Sequence, residues 1–203
     1  MSRLKDLIPG PPVHQRKIEI RTVPLDNGQI IVEGWLTDNR LLAGYHWDGR
    51  PRPPGVVHRI GVRLLVGDWP PAIQEAEAEM VDIPHELCPT VADSIQKIVG
   101  VSVAAGFSEQ IRRRLGGVEG CSHLTHLLLA MGPAILHGFW TQHSRQPRPL
   151  PRTKEEVQGL PYLINSCQLW RENGPLLQLV DETIERLNRE PGKPDNGGED
   201  ESL

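Results

Sequence analysis

The sequence predicts an α+β fold, in which an antiparallel sheet of about four strands is followed by helices packed on one face. Charged and apolar residues alternate in most of the first half of the chain, and this period of two is typical of half-buried strands. In the second half, apolar residues recur every three or four positions, which indicates amphipathic helices. Clusters of glycine and proline separate these segments, as expected of turns.

The first two strands are predicted to form a hairpin. Residues 17–23 read KIEIRTV, residues 24–28 contain the turn formers Pro, Asp, Asn and Gly, and residues 29–38 read QIIVEGWLTD. Two alternating segments joined by a short turn favour antiparallel pairing.

Two more strands follow a loop that is rich in proline and glycine. Residues 56–66 read VVHRIGVRLLV, with His58 on the same face as Ile60 and Val62. In residues 73–81 glutamates alternate with Ala and Met, so the glutamates form a solvated face. A helix is the rival interpretation of this Ala- and Glu-rich run, but the period of two and the flanking prolines favour a strand.

Three helices are predicted next. The first opens at Pro89 and Thr90, with a capping-box-like start, and stops at Gly100. The second carries Phe107, Ile111 and Leu115 on one face and ends at the glycine pair 116–117. The third starts near Cys121 and ends near Gly138.

The C-terminal part is predicted less regularly. Residues 153–170 are interpreted as a short helix and then a strand at 162–170, and residues 176–187 as a last amphipathic helix. We expect a flexible arm at 1–13, a single domain at 14–190 and a disordered acidic tail at 191–203.

Charge and composition exclude several classes of protein. The net charge is −4 over 203 residues, so bulk attraction to nucleic acid has no support. No apolar run is long enough to span a bilayer, and the N-terminus lacks the apolar core of a signal peptide. With three cysteines, the natural expectation is a cytoplasmic protein with reduced thiols.

Two cysteines stand at predicted helix starts. Cys121 follows a glycine-rich segment and precedes an apolar helix, and Cys88 directly precedes Pro89. Free N–H groups and the helix dipole favour a thiolate at such positions, and thiolates suit soft or borderline metals. No C-x-x-C motif is present, so a metal site must be assembled from distant segments.

His58 is the best third ligand, because it is an imidazole on an otherwise apolar strand face. The plainer interpretation is a core histidine bonded to a carbonyl. His123 and His85 are candidates for a fourth ligand or for the catalytic proton donor or acceptor. His123 and His126 are three residues apart on a helix, and a solvated polar flank explains them equally well.

The roles of Cys167 and of the arginine run 112–114 are left open by the sequence. Cys167 reads as a small buried residue, and a redox role beside Cys121 has no local support. The arginine run 112–114 reads as a solvated helix face, with a phosphate contact as the sharper alternative.

Several segments resemble a bacterial family of unknown function. They read VEGWLTD at 32–38, VVHRIGVRL at 56–64, PHELCP at 84–89, GF at 106–107 and GCSHLTHLL at 120–128. The family pattern is E-G-x-L-x-D, a strand histidine, a lone cysteine and G-C-[ST]-H-L. The resemblance covers residues 14–170 and implies no activity. It places four residues at motif positions: His58, Cys88, Cys121 and His123.

More distantly, residues 56–135 resemble the NifU/IscU-type iron–sulfur scaffold fold in the order of their parts. The resemblance implies that Cys88 and Cys121 correspond to the scaffold's middle and last cysteines, and that His58 lies near its acidic ligand. The scaffold's first cysteine has no counterpart, because Val56 or Val57 stands in its place. A mononuclear site therefore fits the residues better than a cluster does.

Three functions are compatible with these residues. The first is a zinc- or iron-dependent enzyme, a hydrolase or lyase, with His58, Cys88 and Cys121 as ligands and His123 or His85 moving protons. The second is an iron–sulfur or sulfur-carrier scaffold, with a cluster between the cysteines. The third is a non-catalytic structural or interaction module. The expected partner is a small-molecule substrate, and the glutamate face and last helix allow a homodimer.

Overall fold

The computed structural model of the protein describes residues 3–4, 7, 10–67 and 69–189. The predicted acidic tail and much of the predicted arm lie outside these residues. The chain divides into two compact units, Met1–His143 and Ser144–Leu203. The single domain proposed for residues 14–190 stays a prediction.

A four-stranded antiparallel sheet forms the centre of the first unit, as predicted. Its strands lie in the order β1-β2-β5-β6, and β1 and β2 form the expected hairpin. A two-stranded ribbon of β3 and β4 connects β2 to β5 along the chain. The strands are β1 (His14–Pro24), β2 (Ile30–Arg40), β3 (Gly44–Tyr45), β4 (Pro51–Arg52), β5 (Gly55–Gly67) and β6 (Ala72–Asp82).

The two faces of the sheet differ sharply in chemistry because side chains alternate along each strand. On β2 the inner face carries Val32 and Leu36, both with no exposed surface, and the outer face carries Glu33 and Trp35. Glu33 accepts hydrogen bonds on the outer face from Arg21 at 2.6 Å and from a second arginine, Arg63, at 2.9 Å. The inner face therefore carries the core and the outer face an ion-pair network.

The helices follow the sheet in the predicted order. They are a 3₁₀ segment (Cys88–Ile98), α1 (Phe107–Leu115), a 3₁₀ turn (Gly117–Glu119) and α2 (Ser122–His143). Phe107, Ile111 and Leu115 are buried, as the spacing on α1 predicted. None of the helices within the described residues combines the length and apolar character needed to cross a membrane.

Two predictions of helix ends are wrong. Thr90 does not cap the first segment, because its hydroxyl donates back to the Leu87 carbonyl at 2.7 Å, and the segment is 3₁₀. The third helix does not stop near Gly138, because α2 continues to His143. A Cβ atom at Gly138 would lie 2.8 Å from Thr22 of β1, so this glycine permits helix–sheet contact instead of ending the helix.

One hydrophobic core joins the inner face of the sheet to these helices. The helix and the sheet approach closely at Gly34, where a Cβ atom would lie 2.8 Å from Sδ of Met131 and 3.1 Å from Leu127. The absence of a side chain at Gly34 lets α2 lie against β2. Core residues include Val32, Leu36, Ile60, Val62, Leu64, Ile98, Ile111, Leu124, Leu128 and Ile135.

The second unit contains a 3₁₀ turn (Lys154–Glu156), α3 (Leu160–Leu163) and α4 (Pro175–Arg189). The predicted last helix is confirmed as α4, and Lys154 pairs with its Asp181 at 2.7 Å. The strand predicted at 162–170 is wrong. Asn165 has a left-handed φ of 62°, and its N–H donates to the Trp170 carbonyl at 2.9 Å, so this segment turns back on itself.

Candidate metal centre

A row of three polar side chains crosses the inner face of the sheet where the apolar core ends. Arg16 of β1 lies opposite Asp38 of β2, and Asp38 lies opposite His58 of β5. Leu36 and Ile60 occupy the preceding row of the same face, and both are buried. Because side chains alternate along each strand, Asp38 and His58 lie on the same face as Leu36 and Ile60, next to the core. Asp38 is only 3% exposed.

The fourth member of the site, His123, comes from the first turn of α2. Close packing at Gly34 lays α2 along β2, with its start towards the end of the strand that carries Asp38. Thr125 also holds the start of α2 in place through hydrogen bonds. Its buried hydroxyl lies 2.9 Å from the Leu115 carbonyl oxygen and 3.0 Å from the Cys121 carbonyl oxygen. Local helix geometry and core packing therefore bring His123 to the sheet.

Asp38, His58 and His123 converge on one point. Oδ2 of Asp38 lies 3.2 Å from Nδ1 of His58 and 3.5 Å from Nε2 of His123. The two imidazole rings lie against each other, with centroids 3.9 Å apart and planes inclined at 34°. Among the described residues, these three form the one group of His, Cys, Asp or Glu side chains whose ligand atoms all lie within 4.8 Å of one another.

Asp38 is also paired with Arg16 and His14 of β1. Arg16 donates two parallel hydrogen bonds, from Nε to Oδ1 and from Nη2 to Oδ2, both at 2.7 Å. Nε2 of His14 lies 3.3 Å from Oδ1. The hydrogen bonds from Arg16 lower the pKa of the Asp38 carboxyl against the opposing effect of burial, and the charges of Arg16, His123 and His58 lower it further. The carboxyl is therefore an anion at neutral pH.

His123 lies in the opposite situation. Burial lowers the pKa of its imidazole, and the neighbouring His58 lowers it further, although the charge of Asp38 acts in the other direction. A neutral imidazole is the form that binds a metal ion. The second ring nitrogen, Nδ1, lies 3.9 Å from Sγ of Cys121. A proton on Nδ1, directed at this sulfur, leaves Nε2 unprotonated on the side of Asp38.

The spacing of the ligand atoms suits a small divalent ion. Bonds of about 2.0–2.1 Å to a tetrahedral zinc ion place the ligand atoms about 3.3 Å from one another. Two of the three separations between ligand atoms, 3.2 and 3.5 Å, bracket this value, and all three are within 4.8 Å. Two histidines and one carboxylate form a ligand set that both zinc and ferrous iron use in enzymes, with positions left for water or substrate.

The predicted site residues are only partly brought together. His58 and His123 belong to the group, and Cys121 lies beside it, in contact with His123. Cys88 and His85 are not in the group. They are neighbours of one another, since the Cys88 N–H donates to the His85 carbonyl at 3.0 Å. The ligand roles of Cys88 and Cys121 and the catalytic role of His85 stay predictions.

Sequence reasoning missed Asp38 and Arg16. The signal for Asp38 was present, because it occupies the inner-face position after Val32, Gly34 and Leu36, just as His58 alternates with apolar residues on β5. It also closes the E-G-x-L-x-D segment. In the structure each specified position of that segment has its own role. Glu33 forms ion pairs on the outer face and Gly34 contacts α2. Leu36 packs in the core, and Asp38 supplies the buried carboxylate.

The fold and the site together define a class: an α+β domain with a buried carboxylate held between two histidines at the edge of its core. Residues 14–137 match a family described as proteins of unknown function, DUF2889, and the chain belongs to this family. The predicted membership of an uncharacterised family is therefore confirmed. Arg16, Asp38, His58 and His123 all lie within the matched residues. No curated protein and no solved structure matches the chain at a significant level.

Proposed function

We propose that this protein binds one divalent metal ion, zinc or iron, through Asp38, His58 and His123. The observation that carries the proposal is the convergence of three ligand atoms from β2, β5 and α2 within 4.8 Å of one another. Each is a preferred ligand type, namely two imidazole nitrogens and one carboxylate oxygen. This set replaces the combination of His58, Cys88 and Cys121 as the proposed ligand set.

The pairing of Asp38 with Arg16 is compatible with metal binding. Each carboxylate oxygen has about two lone-pair directions, so Oδ2 can accept a hydrogen bond from Arg16 and still face an ion. The separation of 3.5 Å between Oδ2 and His123 Nε2 is long for a hydrogen bond but close to the ligand spacing around a zinc ion. This distance favours a shared ion over a direct hydrogen bond.

We propose further that the ion supports a hydrolase or lyase reaction. Three protein ligands leave at least one position for water, and a bound divalent ion lowers the pKa of that water towards neutrality. Side-chain exposures of 18% for His58 and 21% for His123 leave the site partly open to a small molecule. A small-molecule substrate can therefore reach the ion.

A non-catalytic role is the second candidate, and the bidentate pairing of Arg16 with Asp38 favours it. In that case the site is a buried ion-pair cluster that fixes three strands and α2. An iron–sulfur or sulfur-carrier function, with a NifU/IscU-like arrangement, would instead require Cys88 and Cys121 to share a cluster. Metal and sulfide content separate the three functions.

The test is elemental analysis together with acid-labile sulfide on protein purified without oxygen. We expect about one zinc or iron per chain, no sulfide, and loss of the metal in Asp38→Asn and in His123→Gln. His126→Gln is the matched control, because His126 is exposed on the same helix one turn later and should leave the metal in place. Iron with equal sulfide would favour the scaffold, and no metal in the unsubstituted protein would favour the ion-pair cluster.

A further inference from the structure

With a divalent ion bound, the proposed site would carry a strong positive charge. Asp38 is its one acidic ligand, and the two histidines bind a metal as neutral groups. The charge of Asp38 is already matched by Arg16 through two hydrogen bonds at 2.7 Å. Both positive charges of a divalent ion therefore stay uncompensated by the protein. The start of α2 acts in the same direction, because the N-terminus of a helix carries partial positive charge.

Arg16 has hydrogen-bonding capacity that Asp38 does not use. A guanidinium carries five N–H donors, and the two directed at Asp38 lie on its Nε–Nη2 edge. Among the described residues, Arg16 makes side-chain hydrogen bonds to Asp38 alone, so the edge formed by Nη1 and Nη2 remains available. This second edge has the spacing that binds a carboxylate or phosphate through two parallel bonds.

The Arg16 side chain is partly accessible from solvent. The side chain of Arg16 is 36% exposed and that of the neighbouring His14 is 53% exposed, whereas Asp38 beneath them is 4% exposed. The carboxylate is thus less exposed than the Arg16 guanidinium that is bonded to it. A ligand on the solvent side of Asp38 would meet this fixed positive charge.

We infer that the metal centre takes an anionic substrate, whose carboxylate or phosphate oxygen fills the open position on the ion while the free edge of Arg16 binds the same group. The inference rests on the proposed function and names its substrate class. Arg16 has two roles in this arrangement, because one edge orients Asp38 and the other selects the ligand. Neutral substrates gain nothing from the second edge.

The experiment uses the full chain loaded with cobalt(II), whose visible absorption reports a change of ligands. Inorganic phosphate, acetate and neutral imidazole are titrated separately, and the metal content of every variant is measured first. We expect phosphate or acetate to bind and alter the spectrum. The anion that binds with the higher affinity identifies whether the site prefers a phosphate or a carboxylate group. Arg16→Met should weaken this binding about tenfold or more, the scale of a lost charge-assisted pair.

Two further variants make the result specific. Arg16→Lys keeps the positive charge beside Asp38 but lacks the planar fork, so we expect intermediate binding of the anion. Arg113→Met removes an exposed arginine of α1 and should leave anion binding unchanged. Equal anion affinity in metal-loaded wild type, Arg16→Met and Arg16→Lys would overturn the inference and leave metal binding intact. Absence of bound metal in the wild type would overturn both.

Discussion

Nε2 of His123 lies 3.5 Å from Oδ2 of Asp38, so the first turn of α2 meets the end of β2. The strand supplies a buried carboxylate and the helix a half-buried imidazole. The two segments are far apart in the sequence, and the packing of α2 on the sheet brings them together. Changes that loosen this packing should therefore affect the site as well as the stability of the fold.

Substitution of the cysteines tests which ligand set is correct. We expect Cys88→Ala to retain a full complement of metal and His58→Gln to lose it. Cys121→Ala should keep the stoichiometry but weaken metal affinity about tenfold, because the sulfur contacts the second nitrogen of His123. Metal titrations with a chelating competitor would measure the three affinities. Complete loss of metal in both cysteine variants would restore the ligand set predicted from the sequence.

Gly34→Ala should destabilise the first unit by about 1–3 kcal/mol, because the new methyl group would lie 2.8 Å from Sδ of Met131. The same overpacking should shift α2 and weaken metal binding. Urea unfolding followed by circular dichroism measures the first effect. Gly44→Ala is the control, because a Cβ atom there meets nothing within 4 Å. Equal losses in the two variants would show that Gly34 has no special contact.

Thr125→Val should cost about 1 kcal/mol, because it removes the buried hydroxyl that links α2 to the Leu115 carbonyl. The methyl group conserves side-chain volume, so the loss reports the hydrogen bond. Thr183→Val on α4 is a matched control, because the Thr183 side chain makes no hydrogen bond within the part of the chain that the structure describes. The measurement is the free energy of unfolding in urea, and a change in Thr183→Val as large as that in Thr125→Val would contradict the prediction.

The outer-face ion pairs should make stability depend on pH. Burial opposes ionisation of Glu33, but hydrogen bonds from Arg21 and Arg63 outweigh it and lower the pKa of the carboxyl below 4.5. A lowered folded-state pKa means that the stabilisation is present above the unfolded-state pKa and is lost as the pH falls through the folded value.

We therefore expect Glu33→Gln to be less stable than the wild type at pH 7, and the difference to shrink as the pH falls through the lowered folded-state pKa of Glu33. Thermal unfolding at several pH values would follow this change. Glu77→Gln is the control, since Glu77 lies on the edge strand β6 and is not buried. A difference between wild type and Glu33→Gln that stays constant with pH would contradict the role given to Glu33.

Much of the fold is encoded in local patterns. The period of two in residues 29–38 and 56–66 marks β2 and β5 correctly, and the spacing of Phe107, Ile111 and Leu115 marks α1. The strand predicted at 162–170 failed because its apolar residues Tyr162, Leu163 and Ile164 are consecutive instead of alternating with polar residues, and turn geometry at Asn165 decides the conformation. Regular alternation is what separates the correctly predicted strands from this failure.

The site could be predicted only in part, because its assembly depends on which strand each helix packs against. Cys88 and Cys121 carry the same local signal, a thiol at a helix start. The 3₁₀ segment that begins at Cys88 lies along β6, where Gln96 donates to the Ala76 carbonyl at 2.6 Å. In contrast, α2 packs at Gly34 of β2. Local sequence does not specify which strand each helical segment packs against. This choice of strand decides which cysteine lies near Asp38.

The alternation of side chains along β2 has a consequence for how this strand tolerates change. A slip of one residue against β1 would exchange its two faces, turning Glu33 into the core and Asp38 out to solvent. Insertions or deletions of a single residue within the strand should therefore abolish the core and the candidate metal centre in one step. Changes in the length of a loop outside the strands, such as residues 46–50 between β3 and β4, should leave the pairing of Asp38 with His58 intact.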